Sequence, residues 1–356
     1  MKKRVLVGMS GGVDSSVASF LLKQEGYEVV GVTMCLGIKD GNDEKPRCCG
    51  VQAIEDARRV CDKLRMPHYV MDFSKDLEEK VVNNFVSEYL RGRTPNPCVN
   101  CNRYIKFGTL LQKARALDFD FLATGHYAKI EKDGKEFILK TPKDKIKDQT
   151  YFLYPIKKDM LGFILFPLAG FTKKEVRSIA SSKGLPVAQK PQSQDICFVP
   201  QSDYKKFILA RIKDSKPGLI LSSRGEVLGK HKGIIFYTIG QREGLGISST
   251  EPLYVLSIDA ERNQITVGPR DDLKAKGFLV ADLNLLFDWL PQEAFVKIRY
   301  GHKQTKCNVC LQADNKLKVT FQQEQEAVTP GQSAVFYNND SVLGGGVIEE
   351  VLRGYN

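Results

Sequence analysis

The strongest constraint on this chain lies near its start, where Arg4-Val5-Leu6-Val7 runs into Gly8-Met9-Ser10-Gly11-Gly12-Val13-Asp14-Ser15-Ser16. A helical pattern, Ser15 to Glu25, follows with no intervening segment. A short apolar strand, a glycine-rich turn and a helix start, in that order, predict a βαβ unit and hence a parallel sheet. The turn also carries chemistry. The first N–H groups of a helix have no partner within it, and its dipole favours negative charge, so such a turn is an anion site. Gly11 and Gly12 let the backbone come close to an anion, and Ser10, Ser15 and Ser16 add hydroxyl donors. A Walker A loop is excluded because its lysine is absent, and the run does not spell G-x-G-x-x-G.

The same alternation continues to about residue 125. Strands are expected at Arg4 to Met9, Glu28 to Met34, His68 to Asp72 and Phe121 to Thr124. Helices are expected at Gln52 to Leu64, Lys75 to Tyr89 and Tyr104 to Leu117. Met34 and Gly125 fall at the carboxyl edge of this sheet, where open α/β folds bind ligands. A hairpin turning at Asp133-Gly134 comes next, then Thr172-x-x-Glu175, a capping box that opens a helix stopped by Gly184 and Pro186. Beyond residue 215 glycines punctuate short alternating runs: Leu253 to Asp259, Gln264 to Gly268, Ala294 to Arg299, Thr305 to Gln312, Leu317 to Phe321 and Ala334 to Tyr337. These predict a β-rich region ending in a small barrel. The expected organisation is an α/β parallel-sheet domain over residues 1–205, a small α+β central domain over 206–275 and a C-terminal β-barrel over 276–356.

The longest apolar candidate for a membrane span, Leu161 to Phe171, is broken by Pro167 and falls short of the ~18 residues required. The first strand begins too early to leave room for a signal peptide, so a cytoplasmic protein with no membrane partner is expected. In that compartment the nine cysteines read as metal ligands, catalytic thiols or core residues in preference to disulfides. The net charge of +11 points to a polyanionic partner such as nucleic acid.

Among the cysteines, Arg93-Thr94-Pro95-Asn96-Pro97-Cys98-Val99-Asn100-Cys101-Asn102 is the informative stretch. Its two prolines predict an extended loop. Cys101 would then stand just before the helix at Tyr104, where a helix N-terminus lowers a thiol pKa. Cys197 appears later, in Ser193-Gln194-Asp195-Ile196-Cys197-Phe198. Cys307 and Cys310 sit three apart in an alternating strand and should face opposite ways, against a shared zinc site with Cys98 and Cys101. Cys48 and Cys49 occupy a charged stretch, and Cys35 and Cys61 read as core. His126 follows Gly125 at the sheet edge, whereas His68, His231 and His302 have no ligand-like spacing.

The strings S-G-G-V-D-S, T-P-N-P-x-x-x-C-N, A-T-G-H-Y, K-D-Q-T-Y-F-L and S-Q-D-I-C-F occur in this order, followed by Y-T-I-G-Q-R and P-G-Q. The first resembles the loop of the ATP pyrophosphatase superfamily, and the set together resembles the tRNA-specific 2-thiouridylase family over nearly the whole chain. That resemblance implies ATP held by Gly8, Met9, Ser10, Gly11, Gly12, Val13, Asp14 and Ser15, with Asp14 helping to hold Mg2+, while the sheet-edge positions of Met34 and Gly125 fit an adenine pocket. It implies Cys101 as nucleophile and Cys197 as the persulfide-bearing cysteine. It further implies tRNA contacts, in the anticodon region, at Asn96, Pro97, Cys98, His126, Lys147, Asp148, Gln149, Arg299, Tyr300 and Gln332. Many members of that family carry Asp where this chain has Cys98, so no acid–base role transfers to that position.

Two mechanisms are open at this point. In both, ATP adenylates the uracil C2 oxygen. In one, a persulfide on Cys197 delivers sulfur and a Cys101–Cys197 disulfide results. In the other, Cys98, Cys101 and Cys197 ligate a [4Fe-4S] cluster whose fourth iron carries the hydrosulfide. A sulfur-donor protein, either a cysteine desulfurase or a relay, is an expected partner. Competing readings are an amidating synthetase on the same loop, which needs no cysteine pair, and a non-catalytic tRNA-binding or sulfur-carrier protein. Lysines from Lys129 to Lys147, with Lys157 and Lys158, interleave with Tyr127, Tyr151 and Tyr154. They are read as a phosphate-tracking face where a splayed base could stack.

Overall fold

The structure is a computed structural model that describes residues 2–37, 51–191, 196–199 and 203–353. The chain separates into two compact units. One comprises residues 1–81, 98–198 and 340–342, and the other 82–97, 199–339 and 343–356.

In the first unit, β1 (Arg4–Gly8), β2 (Glu28–Cys35), β3 (His68–Asp72), β4 (Phe121–Ala123) and β7 (Ile164–Leu165) form one sheet in the order β3-β2-β1-β4-β7. All pairings are parallel, with Val5 opposite both Val29 and Phe121. Helices α1 (Val13–Gln24) and α2 (Val51–Lys63) cross between strands. Val5, Val7, Val29, Val60 and Cys61 form one core cluster on the sheet, while Val13, Val17, Leu168 and Val176 form a second between α1 and the helix that begins at Lys173. A parallel sheet covered on both faces takes nearly continuous apolar strands, as Val5-Leu6-Val7 and Val29-Val30 are. The chain leaves β1 for β2 on one side and later returns to β4 on the other. The carboxyl ends of β1 and β4 therefore flank a topological switch point, the usual ligand crevice of an open α/β sheet.

The next helix departs from expectation. Residues 97–116 form a continuous helix, α3, made of an α turn at Pro97–Asn100, a π-helical stretch at Cys101–Leu110 and an α segment at Leu111–Ala116. The extended loop expected around Pro95 and Pro97 ends before Pro97, because proline at a first helical position lacks only an N–H that has no intrahelical acceptor. The expected helix Lys75 to Tyr89 is likewise interrupted by a π turn at Glu78–Val82. The hairpin β5 (Lys129–Asp133) and β6 (Glu136–Lys140) and helix α4 (Lys173–Ser182) complete this unit. Thr172 and Glu175 make the expected reciprocal capping box, and Gly184 follows with φ +58.

The second unit holds a four-stranded sheet, β10-β11-β8-β9, from β8 (Gly218–Ser222), β9 (Val227–His231), β10 (Tyr254–Asp259) and β11 (Gln264–Gly268). It packs over Ile220, Tyr237, Val255 and Ile265. A six-stranded antiparallel barrel follows: β12 (Lys274–Leu285), β13 (Glu293–Lys297), β14 (Thr305–Leu311), β15 (Leu317–Glu326), β16 (Ser333–Asn338) and β17 (Ser341–Leu352). Pairing of β12 with β17 closes it. Those two strands were not expected from sequence. Register shifts break their alternation, and Gly344 and Gly346 in β17 look like turn residues. They are glycine because a Cβ there would meet Asn284 O at 2.4 Å and Ala281 O at 2.5 Å across the ladder.

Candidate active site

Helix α1 starts at Val13 with Gly12 as N-cap and no side-chain cap, so its first amides are left for an anion. Gly11 has φ +66, and a Cβ there would lie 2.3 Å from Ala53 O, so only glycine can make this turn. Ser15 Oγ accepts from Ser10 N at 3.3 Å, and Ser16 Oγ donates to Gly12 O at 2.7 Å, which holds the loop in shape. Lys190 Nζ donates to Gly11 O at 3.0 Å and pairs with the buried Asp56 at 2.6 Å. Burial opposes charge on Asp56, yet hydrogen bonds from Lys190, Gln52 and Arg59 hold its carboxyl below the usual range. Gly8, Met9 and Val13 line this turn from β1 into α1. Met34 is half-buried near the end of β2, one residue before Cys35.

Asp14 makes a set of contacts that the sequence did not indicate. Lys173 Nζ, from the first residue of α4, donates to both carboxylate oxygens at 2.6 and 2.7 Å. Tyr127 Oη donates to Oδ1 at 2.9 Å. Burial, with Asp14 beside it, pushes the Tyr127 phenol well up. Asp14 Oδ1 accepts from Lys173 and Tyr127 and Oδ2 from Lys173 alone, so a magnesium ion bound as expected would share this carboxylate with Lys173.

The loop after β4 joins the phosphate turn to the thiols. A Cβ on Gly125 would fall 2.6 Å from Ser15 N and 2.7 Å from Asp14 C, so the two loops touch backbone to backbone at the switch point. The next residue, His126, is half-buried. Its Nδ1 bonds Thr124 Oγ1 at 2.7 Å and its Nε2 faces Lys106 Nζ at 3.4 Å. Burial and then Lys106 keep the imidazole well below its ordinary pKa, so it is neutral, accepting from the ammonium and donating to Thr124.

Lys106 stands five residues beyond Cys101. In an α-helix that spacing turns the side chains about 140° apart. The π-helical stretch closes its turns on the fifth residue and brings Lys106 back beneath Cys101. Cys98 and Cys101, one turn apart, share a face of α3. Cys101 is buried at 9% exposure, whereas Cys98 has an exposed surface in crowded surroundings. Burial pushes both thiols up and Lys106 pulls both back toward ionisation, with Cys101 adding to the rise at Cys98. The lowered pKa expected for Cys101 is therefore corrected: burial raises it, and the residue lies within α3 and not just before a helix start. Asn102 Nδ2 ties the helix to Phe152 O at 3.0 Å.

Cys197 is an exposed thiol. Ser193, Gln194 and Asp195 beside it lie outside the described residues, as do Cys48 and Cys49. Among the described residues no three His, Cys, Asp or Glu side chains gather to hold a metal. The three-cysteine set for a cluster is thus not assembled in this conformation. Cys61 is core as expected, but Cys35, also buried, is in a disulfide. Cys307 is buried and Cys310 exposed on opposite faces of β14. His231 is an interior residue bonded to Asn263 O and Gly233 N, and His68 bonds Thr33.

Several residues expected to meet RNA face inward instead. Tyr127, Tyr151 and Tyr154 are 3%, 0% and 2% exposed, so the stacking role proposed for them is corrected; they are core. Asp148 is buried and bonds Thr150 N and Oγ1, while Gln149 Oε1 accepts from Tyr127 N at 2.8 Å. The lysine face is laced with ion pairs: Lys129 and Lys140 with Glu131, Lys143 with Glu175 and Lys145 with Asp340. Lys147 is half-buried. In the second unit Thr94 O accepts from Gln332 Nε2 at 2.8 Å and Thr94 N donates to Pro330 O at 2.9 Å. This brings Asn96 and Pro97 near Gln332. Arg299 is anchored to Ala327 O and Thr329 Oγ1, and Tyr300 is exposed.

Sequence reasoning missed Lys106 and Lys173. The first was hidden because α-helical spacing puts it on the wrong face. The second was read only as part of a capping box.

The fold and the phosphate turn define a HUP-type α/β domain followed by two β modules. Residues 3–201 match the tRNA methyl transferase HUP domain, 205–269 the tRNA methyl transferase PRC-barrel domain and 275–348 the aminomethyltransferase beta-barrel domain. Over 353 residues the chain is 55% identical to the tRNA-specific 2-thiouridylase MnmA 1 of Syntrophus aciditrophicus, covering 99% of this chain and 94% of that one. It is 48% identical to the MnmA 1 of Caldanaerobacter subterraneus (99% and 100% covered) and 47% to the MnmA of Clostridium botulinum (99% and 99%). The chain belongs to the tRNA-specific 2-thiouridylase family. Among the described residues no helix is long and apolar enough to cross a membrane.

Proposed function

We propose that this chain uses ATP to adenylate the C2 oxygen of a tRNA wobble uridine and then replaces that oxygen with sulfur, releasing pyrophosphate and AMP. The observation that carries the reading is the loop Thr124-Gly125-His126. It contacts the phosphate turn at Gly125 and the thiol-bearing helix through His126 and Lys106, so activation and sulfur chemistry share one crevice. The amides of residues 11–15 bind the phosphates of ATP. The uracil C2 oxygen attacks the α-phosphorus, and pyrophosphate leaves.

Sulfur arrives as a persulfide on Cys197, loaded by a cysteine desulfurase or a relay protein. Its outer sulfur attacks C2 and AMP departs with the former oxygen. The Cys101 thiolate then attacks the inner sulfur of Cys197, leaving sulfur on the base and a Cys101–Cys197 disulfide for an external thiol to reduce. Lys106 stabilises the Cys101 thiolate against the cost of its burial. Cys98 lies one turn away as a spare thiol on the same face.

The pairing of a phosphate turn with thiols favours thiolation over the methyl transfer in the domain descriptions, and over amidation, because neither alternative needs Cys101. The test is mass spectrometry of wobble nucleosides after incubation with ATP, a persulfide donor and tRNA. The wild type should yield 2-thiouridine and C101S none. A wild type that makes no 2-thiouridine but, with ammonia supplied, yields an aminated product that C101S and C197S also make would replace this reading with an amidating synthetase. A cytoplasmic setting suits a chain that reads tRNA and needs reducible cysteines.

A further inference from the structure

A nucleoside triphosphate brings several negative charges, yet the turn from Gly8 to Ser16 contains no lysine or arginine. Its amides and hydroxyls are donors without full charge, so any cation supplied by the protein must come from elsewhere in the fold. Lys173 reaches the first turn of α1 from 159 residues away and grips Asp14 with two N–H groups. Its side chain is only 14% exposed, and an ammonium has three donors. The third has no protein acceptor among the described residues.

The placement is built from several sides. Lys173 is the first residue of α4, whose start is set by the Thr172–Glu175 capping box, and its own N–H is held by Asp144 Oδ2 at 2.9 Å. The Tyr127 ring lies 5.9 Å from the ammonium, and its hydroxyl occupies the remaining side of Asp14 Oδ1. Asp14 thus orients Lys173 beside the open amides of α1, and the four-carbon stem leaves the ammonium able to turn toward a phosphate oxygen. Lys190, the other lysine at this turn, is occupied by Asp56 and the Gly11 carbonyl.

We propose that Lys173 is the phosphate-binding cation of this turn, and that Asp14 is its counter-charge rather than a magnesium ligand. The inference rests on the ATP-binding half of the function proposed above. A Walker A loop carries its lysine within the loop; here a separate helix would supply the same charge.

The test measures dissociation constants by titration calorimetry for ATP, inorganic pyrophosphate and adenosine, with magnesium and with EDTA. Loss of one charged hydrogen-bonding partner should weaken ATP and pyrophosphate binding roughly ten- to a hundredfold in K173M. K173R should recover most of it, adenosine binding should stay within twofold, and the loss should persist in EDTA. D14N should leave the magnesium dependence of ATP binding unchanged within twofold. If K173M does not fold, D14N/K173M, which leaves no lone buried charge, carries the same comparison.

ATP affinity within twofold of wild type in a folded Lys173 variant would overturn the proposal. So would an equal loss for adenosine, which marks a merely structural pair, or a magnesium requirement displaced by D14N. A wild type that binds ATP with this Lys173 dependence but makes no 2-thiouridine would remove the proposed function and leave the inference standing. Thiolation with a Lys173-independent ATP affinity would remove the inference alone.

Discussion

Replacing Gly125 with alanine probes the contact on which the crevice depends. The added Cβ would lie 2.6 Å from Ser15 N, 2.7 Å from Asp14 C and 3.0 Å from Asp14 Cβ. Ordinary contact begins near 3.4 Å, so the loop after β4 and the phosphate turn must separate by about 0.8 Å. Most of the opposing atoms are backbone in the first turn of α1, so no flexible side chain can yield. Overpacking of this kind costs about 1–3 kcal/mol, and for a domain of this size each kcal/mol lowers Tm by roughly 2–4 °C. The functional cost should be larger, because a displacement near 1 Å in an active site lowers rates by about a hundredfold. Gly170→Ala, whose Cβ would meet nothing within 4 Å, is the control and should change Tm little. Thermal melting and single-turnover thiolation with saturating ATP would measure both effects. A G125A protein with the Tm and turnover rate of the wild type would refute the argument that this contact aligns the two halves of the site.

Other expectations follow from the same geometry. Lys106→Met removes the charge that draws the Cys101 thiol toward ionisation. The acid limb of the thiolation pH profile should therefore move to higher pH, and an unmoved limb would dissociate Lys106 from the thiol. Cys61 and Cys307 are both pushed up to about 12 by burial, from an ordinary 9.0. Their folded forms hold protons that the unfolded chain releases, so neither affects stability below about pH 9, and above it each costs roughly 1.4 kcal/mol per pH unit until about pH 12. C61A and C307A should flatten that alkaline loss in urea titrations, and an unchanged slope in both would contradict the assignment. Combined Lys143→Ala, Lys145→Ala and Lys147→Ala should weaken tRNA binding and reduce its salt slope by about one for each of these lysines that neutralises a phosphate. The carboxylates Glu175 and Asp340 now paired with two of these lysines would be left facing the RNA, so an unaltered slope would show that the face does not track phosphates.

Much of the site was legible because its determinants are local. The turn at Gly11 and Gly12 is written in residues that alone tolerate its backbone, and the helix after it follows without a break. The opposite facing of Cys307 and Cys310 needed only the period of a strand. Where a residue obeyed one local rule in an unusual setting, the reading failed: Pro97 suggested a loop and instead opens α3, and the glycine-broken barrel strand β17 went unexpected. The inward tyrosines show a different failure. Tyr151 and Tyr154 sit among lysines in sequence, but the short helix Thr150–Leu153 turns them into the core.

The amino-acid sequence alone determined the parallel sheet, the anion-binding turn and the presence of reactive thiols, since each depends on the conformational limits of neighbouring residues. Tertiary structure decided which charges meet. No spacing rule links Asp14 to Lys173, and none brings Lys106 to both Cys101 and His126; the first pairing requires α4 to pack beside α1, and the second requires a π-helical stretch. Electrostatic energy depends on separation in space and on the water excluded there, and neither quantity is encoded by position along the chain.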